Sequence, residues 1–473
     1  MIQTPVTSEH EAQLRALLPD AAFPDLSEAY LQEPRGRYQA KDAILITPQT
    51  ADQVCQIVKY AHKTGIGIVP YGGGTGLVGG QIAENAPRHI ILSLEKMHAI
   101  RAVYPDENVL VAEAGAILHD IQTAAADVNR LFPLSLASEG SARIGGCLAA
   151  NAGGVNVLRY GNTRDLCLGL EVVLPDGTLW NGLSRLRKDN TGYDLRNLMI
   201  GSEGTLGIIT AAALRLFPIP AGQGTAFLTV RDPGAALDLL ALARDHMGEC
   251  ISAFELIHRQ GLDFITETLP DLRTPFEKPP EWSVLIEVGL PRGLDPQDAL
   301  ETLFTAAHQQ GLVDDGLIAQ SQTQRDQFWS VREHIPEANR RIGSISSHDI
   351  SVPLGAIPEF IERGREVIRA IGNFRINCFG HVGDGNLHYN VFPQPRRSRA
   401  DHLAERDQIK SAVHQLVHDM GGSVSAEHGV GRLKVDDLER FSDPAKLATM
   451  RAIKRALDPA GIMNPGVILR DVT

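Results

Sequence analysis

Three glycine-dense segments, each beside an apolar run, constrain the fold of this chain more than any other feature. They are residues 70–80 (PYGGGTGLVGG), 144–154 (IGGCLAANAGG) and 200–210 (IGSEGTLGIIT). Glycine lets backbone amides approach closely and surround an anion such as a phosphate. A single loop of this kind can be purely structural, but three of them predict an extended ligand that lies along the backbone.

The first loop matches the dinucleotide fingerprint Gly74-x-Gly76-x-x-Gly79, with Glu95 as a candidate ribose-binding acid. That fingerprint must open a crossover helix, yet residues 80–89 (GQIAENAPRH) contain Gly, Asn and Pro and leave too little room for one. A Rossmann-type NAD site is therefore disfavoured, and an NAD-dependent dehydrogenase stays as an alternative.

Composition excludes several functional classes. The 473 residues suit two large domains or three of ordinary size, and a net charge of −12 disfavours nucleic-acid binding. The five cysteines form no CxxC pair, which indicates a reducing compartment, and we expect a cytoplasmic protein. The polar N-terminus predicts no export signal, and no apolar run reaches the roughly 20 residues of a transmembrane helix. Peripheral contact with a membrane is left open.

Short β-rich runs alternate with turns over residues 44–209, and Asp176-Gly177 predicts a tight hairpin, so antiparallel strands are expected. The segment 217–222 (FPIPAG) is the best candidate domain boundary, because two prolines and a glycine interrupt regular structure. Strands and helices alternate again beyond it, as in a ferredoxin-like layer. The predicted fold class is α+β.

The strongest chemical signal lies in residues 380–390 (GHVGDGNLHYN) and 425–431 (SAEHGVG). His381 and His388 flank a Gly-Asp-Gly-Asn turn and can face each other across a hairpin, while Glu427 offers a carboxylate. Two imidazoles and one carboxylate form a common catalytic site for Zn²⁺, Mn²⁺ or Fe²⁺. Hydrogen-bonded core histidines are the alternative interpretation.

From about residue 38 to the end, these motifs together with residues 456–466 (ALDPAGIMNPG) resemble the vanillyl-alcohol oxidase, or p-cresol methylhydroxylase (PCMH), superfamily of flavoproteins. The branch is that of D-lactate, glycolate and D-2-hydroxyglutarate dehydrogenases. The resemblance implies a helical segment at 1–37, a PCMH-type FAD-binding domain of two subdomains at 38–217, and a FAD-linked oxidase C-terminal domain at 218–473. In the last, helices cover a ferredoxin-like antiparallel sheet, and residues from about 440 return to the FAD domain.

The resemblance also implies residue roles. His381, His388 and Glu427 would bind the metal, most simply Zn²⁺, with Mn²⁺ or Fe²⁺ as alternatives. Arg332, Asn390 and His428 would bind substrate, and His428 would also take the hydroxyl proton as the catalytic base. Noncovalent FAD is expected to contact Pro70, Gly72, Gly73, Gly74, Thr75, Gly76, Leu77, Ser138, Gly140, Ser141, Gly145, Gly146, Asn151, Gly153, Gly204, Gly207, Ile209 and Asn464.

The implied reaction oxidises a D-2-hydroxy acid to the 2-oxo acid by hydride transfer to flavin N5. Electrons would pass to an external acceptor such as cytochrome c, electron-transferring flavoprotein or a quinone, and a homodimer is left open. Relatives that use dicarboxylates carry a Thr and a Lys where this chain has Pro336 and Ser347, which favours a D-lactate-like acid over D-2-hydroxyglutarate. A FAD-binding subunit of a glycolate oxidase and an alkyl-transfer flavoenzyme of the same superfamily are rival functions that the motifs favour less.

Overall fold

The computed structural model describes residues 3–470, which divide into two compact units. Within these residues, unit 1 comprises 3–153, 161–219 and 427–470, and unit 2 comprises 154–160 and 220–426. The domain boundaries expected from the sequence, after residues 37 and 217, stay predictions. Within the described part of the chain, no helix has both the length and the apolar character needed to cross a bilayer.

The chain contains both α-helices and β-strands, which alternate over residues 222–381. The α-helices are α1 Ser8–Leu17, α2 Ala51–Thr64, α3 Leu118–Ala126, α4 Ile144–Ala150, α5 Val157–Tyr160, α6 Leu195–Met199, α7 Pro233–Met247, α8 Arg259–Thr268, α9 Pro296–Gln309, α10 Gln322–Ile342, α11 Ile357–Ile371, α12 Leu403–Asp419, α13 Val435–Phe441 and α14 Pro444–Leu457. The strands are β1 Ala43–Ile46, β2 Ile68–Tyr71, β3 His89–Ser93, β4 Ile100–Tyr104, β5 Val109–Glu113, β6 Arg130–Leu131, β7 Cys167–Val173, β8 Leu179–Gly182, β9 Ile208–Arg215, β10 Phe217–Pro218, β11 Gly222–Val230, β12 Ile251–His258, β13 Trp282–Leu290, β14 Val313–Ile318, β15 Ser346–Ser351, β16 Arg375–His381 and β17 Asn386–Phe392.

Three of the longer helices begin with the same local signal, an Asp-Pro pair. The side chains of Asp232, Asp295 and Asp443 accept backbone N–H groups from the first turns of α7, α9 and α14. The proline that follows each aspartate occupies the first helical position, where its missing N–H costs nothing. The starts of these three helices can therefore be predicted from the sequence.

Unit 1 contains two main sheets. Strands β1, β3 and β2 form a parallel sheet in that order, and the five-stranded sheet β4-β5-β9-β7-β8 is antiparallel. The predicted hairpin is present between β7 and β8, where Gly177 has a φ of 81°. The first glycine loop leaves the end of β2, and the second glycine segment forms α4 and the turn after it.

Unit 2 is built on one seven-stranded antiparallel sheet, ordered β14-β11-β13-β12-β16-β17-β15. One face packs against α7, α9, α11 and α12 through side chains such as Leu239, Leu303 and Phe360. The other face packs against α8 and α10 through Phe264 and Val331 among others. This helix-covered antiparallel sheet confirms the α+β class and the type of second domain predicted from the sequence.

Candidate active site

The hairpin of β16 and β17 brings the two predicted metal-binding histidines together. His381 ends β16, a short turn over Val382–Asp384 follows, and Gly385 adopts the left-handed φ of 86° that reverses the chain. His388 lies in β17 opposite Phe379. The ring centroids of His381 and His388 are 5.7 Å apart, with an interplanar angle of 79°. The hairpin thus places two histidines that are seven residues apart in sequence next to each other in the structure.

Glu427 completes this group. One ligand atom each from His381, His388 and Glu427 lie within 4.8 Å of one another, and no other such group of three is found among residues 3–470. Ala426, the residue before Glu427, donates its N–H to the carbonyl of Asp349 in β15 at 3.3 Å. This hydrogen bond holds the chain just before Glu427 against β15. Two imidazoles and a carboxylate at this spacing fit a catalytic divalent-metal site with open coordination positions.

A buried carboxylate that the sequence reasoning missed orients one of these ligands. Glu255 of β12 is 1% exposed, and its Oε1 lies 2.6 Å from Nδ1 of His381. Burial alone would raise the pKa of Glu255, but His381 and Arg332 outweigh it and lower that pKa to about 2. The ionised carboxylate makes Nδ1 the donor, so Nε2 is the ring nitrogen through which His381 would bind a metal.

Arg332 of α10 binds the other oxygen of the same carboxylate. Its Nε donates to Oε2 of Glu255 at 2.7 Å, and its guanidinium carbon lies 4.8 Å from the ring centroid of Phe379. These contacts fix the guanidinium plane of Arg332, a residue that is 7% exposed. Among the described residues, no hydrogen bond uses its two Nη nitrogens, so they can bind a substrate carboxylate.

The other predicted substrate residues, Asn390 and His428, come from the hairpin and from the segment of Glu427. Asn390 is buried in β17, two residues after His388 and therefore on the same face of the strand. Its neighbour across the sheet is Ser347 of β15, whose hydroxyl is 2.7 Å from that of Ser344. Pro336 is exposed on α10, and His428 directly follows Glu427 and is half-buried.

In unit 1, the first two glycine segments pack backbone against backbone. A Cβ added to Gly72 would lie 3.4 Å from the Cα of Gly146, and one added to Gly73 would overlap the carbonyl oxygen of Ser141. Gly74 has a φ of 71°, which any other residue adopts only with strain. This absence of side chains fits a loop that wraps an anionic cofactor such as the FAD pyrophosphate.

The C-terminal motif and the third glycine segment join the same region. Asn464 donates from Nδ2 to the carbonyls of Gly80, at 2.9 Å, and of Glu203, at 2.8 Å. Its Oδ1 is buried and has no hydrogen-bond partner among the described residues, so it fits as an acceptor for a bound cofactor. Gly204 packs on the ring of Pro70, where a Cβ would lie 2.8 Å from Cγ.

The remaining predicted cofactor residues have varied surroundings. Asn151 takes a left-handed φ of 50° at the end of α4. A Cβ on Gly145 would meet Ala114 at 2.7 Å, whereas one on Gly140 would lie in open space. Gly207 and Ile209 lie beside Val172 of β7. Thr75, Gly76 and Leu77 continue the loop, Ser138 accepts at its carbonyl from Ser141, and Gly153 is the last residue but one of the second segment.

Glu203 is a second residue that the sequence reasoning did not assign. Its carboxylate accepts the N–H groups of Val430, at 2.7 Å, and Gly431, at 2.8 Å. Burial raises the pKa of Glu203 to about 7, although those two N–H groups act in the opposite direction. The sequence gives one indication of a role for each of these two acids. Glu255 stands alone among apolar residues, and Glu203 stands alone in a glycine-rich segment.

The comparisons with known proteins decide the family. The model for the C-terminal domain of FAD linked oxidases matches residues 219–468, and the model for a FAD binding domain matches residues 43–182. The chain belongs to the FAD-linked oxidase family. It is therefore an oxidoreductase with a FAD-binding domain, as the resemblance to the flavoprotein superfamily implied.

Relatives in this family match nearly the whole chain. D-2-hydroxyglutarate dehydrogenase of Xanthomonas citri pv. viticola is 35% identical over 93% of this chain and 92% of its own length. The mitochondrial D-2-hydroxyglutarate dehydrogenase of Bos taurus is 35% identical over 97% of this chain and 83% of its own length.

Solved structures support the fold. Substrate-bound p-cresol methylhydroxylase has a TM-score of 0.76 at 17% identity, covering 99% of both chains. Alkyldihydroxyacetonephosphate synthase has a TM-score of 0.72 at 17% identity, covering 98% of this chain and 86% of its own. At these identities the likeness concerns the fold of the FAD-linked oxidases alone and carries no argument about the reaction.

Proposed function

We propose that this FAD-linked oxidase oxidises a D-2-hydroxy acid to the corresponding 2-oxo acid in a metal-dependent reaction. One observation carries the proposal: the buried carboxylate of Glu255 binds both His381 and Arg332. A candidate metal ligand and a candidate carboxylate-binding cation are thereby held on one rigid support. A 2-hydroxy acid needs these two functions side by side, because its hydroxyl and carboxylate are on adjacent carbons.

The chain's own residues supply the binding and proton-transfer steps. Arg332 binds the substrate carboxylate through its Nη nitrogens, and Asn390 orients the polar end of the substrate. His428 accepts the hydroxyl proton at a ring nitrogen, a role that imidazole suits near neutral pH. A divalent cation held by His381, His388 and Glu427 would act as a Lewis acid at the substrate oxygens. FAD, when bound, supplies the electron acceptor.

Two substrate lengths each have support. The relatives named D-2-hydroxyglutarate dehydrogenases favour a five-carbon dicarboxylate. Pro336 and Ser347, which carry no charge, favour a D-lactate-like monocarboxylate, because neither offers a cation to a second carboxylate. We place D-2-hydroxyglutarate first because the relatives match nearly the whole chain, and the D-lactate class second.

Anaerobic bleaching of the flavin absorbance near 450 nm by a panel of D- and L-2-hydroxy acids tests the proposal. We expect D isomers to bleach the flavin and L isomers to leave it oxidised, with D-2-hydroxyglutarate and D-lactate distinguishing the two lengths. Bleaching by L isomers alone, or by none of the acids, would refute the proposed function.

The cofactor details are part of the same proposal. FAD is proposed to be noncovalent: Cys147, the cysteine of the second glycine segment, is buried, and burial raises its pKa to about 12, so it stays a protonated thiol. Flavin that stays with acid-precipitated protein would contradict this. The proposed metal is zinc. The proposed electron acceptor is cytochrome c, electron-transferring flavoprotein or a quinone. The proposed location is the cytoplasm.

A further inference from the structure

Glu203 of the third glycine segment has an unusual backbone. Its φ is 51°, in the left-handed region that non-glycine residues seldom adopt. Its N–H donates to the carbonyl of Ala149 in α4 at 2.9 Å, and its own carbonyl accepts from Nδ2 of Asn464 at 2.8 Å. The residue is therefore fixed by the second glycine segment and by the C-terminal motif, and strain at such a position often marks function.

Both carboxylate oxygens of Glu203 accept hydrogen bonds from the backbone of one turn. Oε1 accepts the N–H of Val430 at 2.7 Å and Oε2 accepts the N–H of Gly431 at 2.8 Å. A Cβ added to Gly429 would lie 2.7 Å from Oε1, so the turn passes close to the carboxylate. This turn directly follows Glu427 and His428, the proposed metal ligand and proton acceptor.

The same turn is bound to the first glycine loop on its other side. The N–H groups of Arg432 and Leu433 donate to the carbonyl of Val78 at 2.9 and 3.2 Å, and Nε of Arg432 donates to the carbonyl of Ile82 at 2.5 Å. All of these residues belong to unit 1. Glu203 thus lies at a junction of the three glycine segments, the C-terminal motif and the turn after His428.

We propose that Glu203 is a positioning residue, which holds Glu427 and His428 in register with the FAD-binding loops. The claim rests on the proposed function for the roles of those two residues. Hydrogen bonds from backbone N–H to a carboxylate are stronger than those to a neutral acceptor, so the two contacts fix the turn well. A displacement of about 1 Å at a reacting group can cost about 100-fold in rate, which makes such fixation consequential.

Hydrogen–deuterium exchange of residues 427–434 in the purified FAD-bound protein tests the contact itself. Glu203→Gln keeps the side chain's size but turns one oxygen into an NH₂ group that faces a backbone N–H. We expect exchange in this segment to accelerate about 10-fold, the equivalent of one lost hydrogen bond of about 1.4 kcal/mol. Unchanged exchange in the variant would overturn the proposal.

Glu33→Gln is the matched control. Glu33 is 1% exposed, and its Oε2 accepts the N–H groups of Arg35 and Arg37 at 2.9 and 3.0 Å, in a different turn of the same unit. We expect this variant to leave exchange in residues 427–434 at the wild-type rate. Equal acceleration in both variants would show a general loosening of unit 1 and would overturn the specific role of Glu203.

The rate of anaerobic flavin reduction per bound FAD tests the functional claim. We expect Glu203→Gln to lower this rate about 10- to 100-fold and to lower kcat more than it raises KM. A purely structural role would lower flavin content and thermal stability while the rate per bound FAD stayed at the wild-type value, and that result overturns the proposal. If the wild type is bleached by no 2-hydroxy acid, the proposed function has failed, and the exchange measurement still decides whether Glu203 holds the turn.

Discussion

The carboxylate of Glu255 in β12 lies 2.6 Å from Nδ1 of His381 in β16, in the seven-stranded sheet of unit 2. The same carboxylate binds Arg332 at 2.7 Å. Three charged or polar groups from β12, β16 and α10 therefore depend on one another. Removing the carboxylate leaves a buried guanidinium without its ion pair, which is costly in a medium of low polarity.

Replacing Glu255 with Gln is expected to weaken metal binding. The neutral amide no longer holds the Nδ1 proton of His381 in place, and loss of such an outer partner typically costs about 10- to 100-fold in metal affinity. The variant is also expected to lose about 3–5 kcal/mol in free energy of unfolding, because Arg332 stays buried without its ion pair. Titration of the apo protein with Zn²⁺, together with chemical denaturation, measures both effects.

Glu287→Gln provides the control for that prediction. Glu287 is a second buried carboxylate of the same sheet, and its Oε2 binds Arg325 Nε at 3.0 Å and Trp329 Nε1 at 2.5 Å. We expect a comparable loss of stability with metal affinity unchanged. If both variants lost metal equally, the effect would come from general destabilisation of unit 2, not from orientation of His381.

Arg332→Lys is expected to lower kcat/KM for the hydroxy acid about 10- to 100-fold, because an ammonium group cannot form the bidentate contact with a carboxylate. Flavin content should stay at the wild-type level, since the FAD loops lie in unit 1. Steady-state kinetics with a dye acceptor provides the measurement. Arg340→Lys, an exposed position of the same helix that pairs with Glu337, should leave kcat/KM unchanged. Wild-type kinetics for Arg332→Lys would remove this residue from the substrate site.

Gly73→Ala is expected to abolish FAD binding, because the added methyl group overlaps the carbonyl oxygen of Ser141 and forces the first glycine loop away from the chain that leads into the second segment. Absorbance of the purified protein measures the flavin content. Zinc binding should persist at the wild-type stoichiometry, because the added group lies outside the histidine hairpin. Gly355→Ala in unit 2, where a Cβ meets no atom within 4 Å, is the control and should retain FAD. A yellow Gly73→Ala protein with full flavin content would contradict the assignment of this loop.

Stability is expected to fall in acid partly through His258. Burial, followed by the neighbouring Arg365, lowers the pKa of His258 to about 4, from the ordinary value of 6.5. Between pH 6.5 and 4, His258 is protonated in the unfolded chain but neutral in the folded chain. The free energy of unfolding therefore decreases as pH falls from about 6.5 to 4. The contribution is up to about 3 kcal/mol, from 1.36 kcal/mol per pKa unit.

Denaturation of His258→Gln across this pH range checks the assignment. The variant should show a smaller loss of stability between pH 6.5 and 4 than the wild type, whereas the exposed His308→Gln should match the wild type. Parallel curves for the wild type and His258→Gln would mean that another group causes the acid sensitivity.

Much of the candidate site was predictable because its motifs are local. His381 and His388 flank a turn that Gly385 permits, so seven residues of sequence suffice to predict their proximity. Helix starts at Asp-Pro pairs and the hairpin at Gly177 are local in the same sense. The glycine segments predicted a ligand-binding backbone for the same reason, since close approach of chains requires the absence of side chains.

The two carboxylates escaped prediction because their partners are distant in sequence. Glu255 meets His381 across 126 residues and Glu203 meets Val430 across 227 residues, and no spacing rule covers such contacts. Glu255 also has two apolar residues before it and two after it in the sequence of β12. Only the pairing of β12 with β16, which sets Glu255 opposite His381, turns this acid into a partner of the metal site.

The anaerobic rate of flavin bleaching by a D-2-hydroxy acid, measured on one preparation before and after removal of its metal by a chelator, tests the central claim most directly. We predict that the metal-depleted protein keeps its FAD, loses the bleaching reaction and regains it when Zn²⁺ or Mn²⁺ is added. Bleaching at the original rate by protein shown to contain no divalent metal would contradict the account.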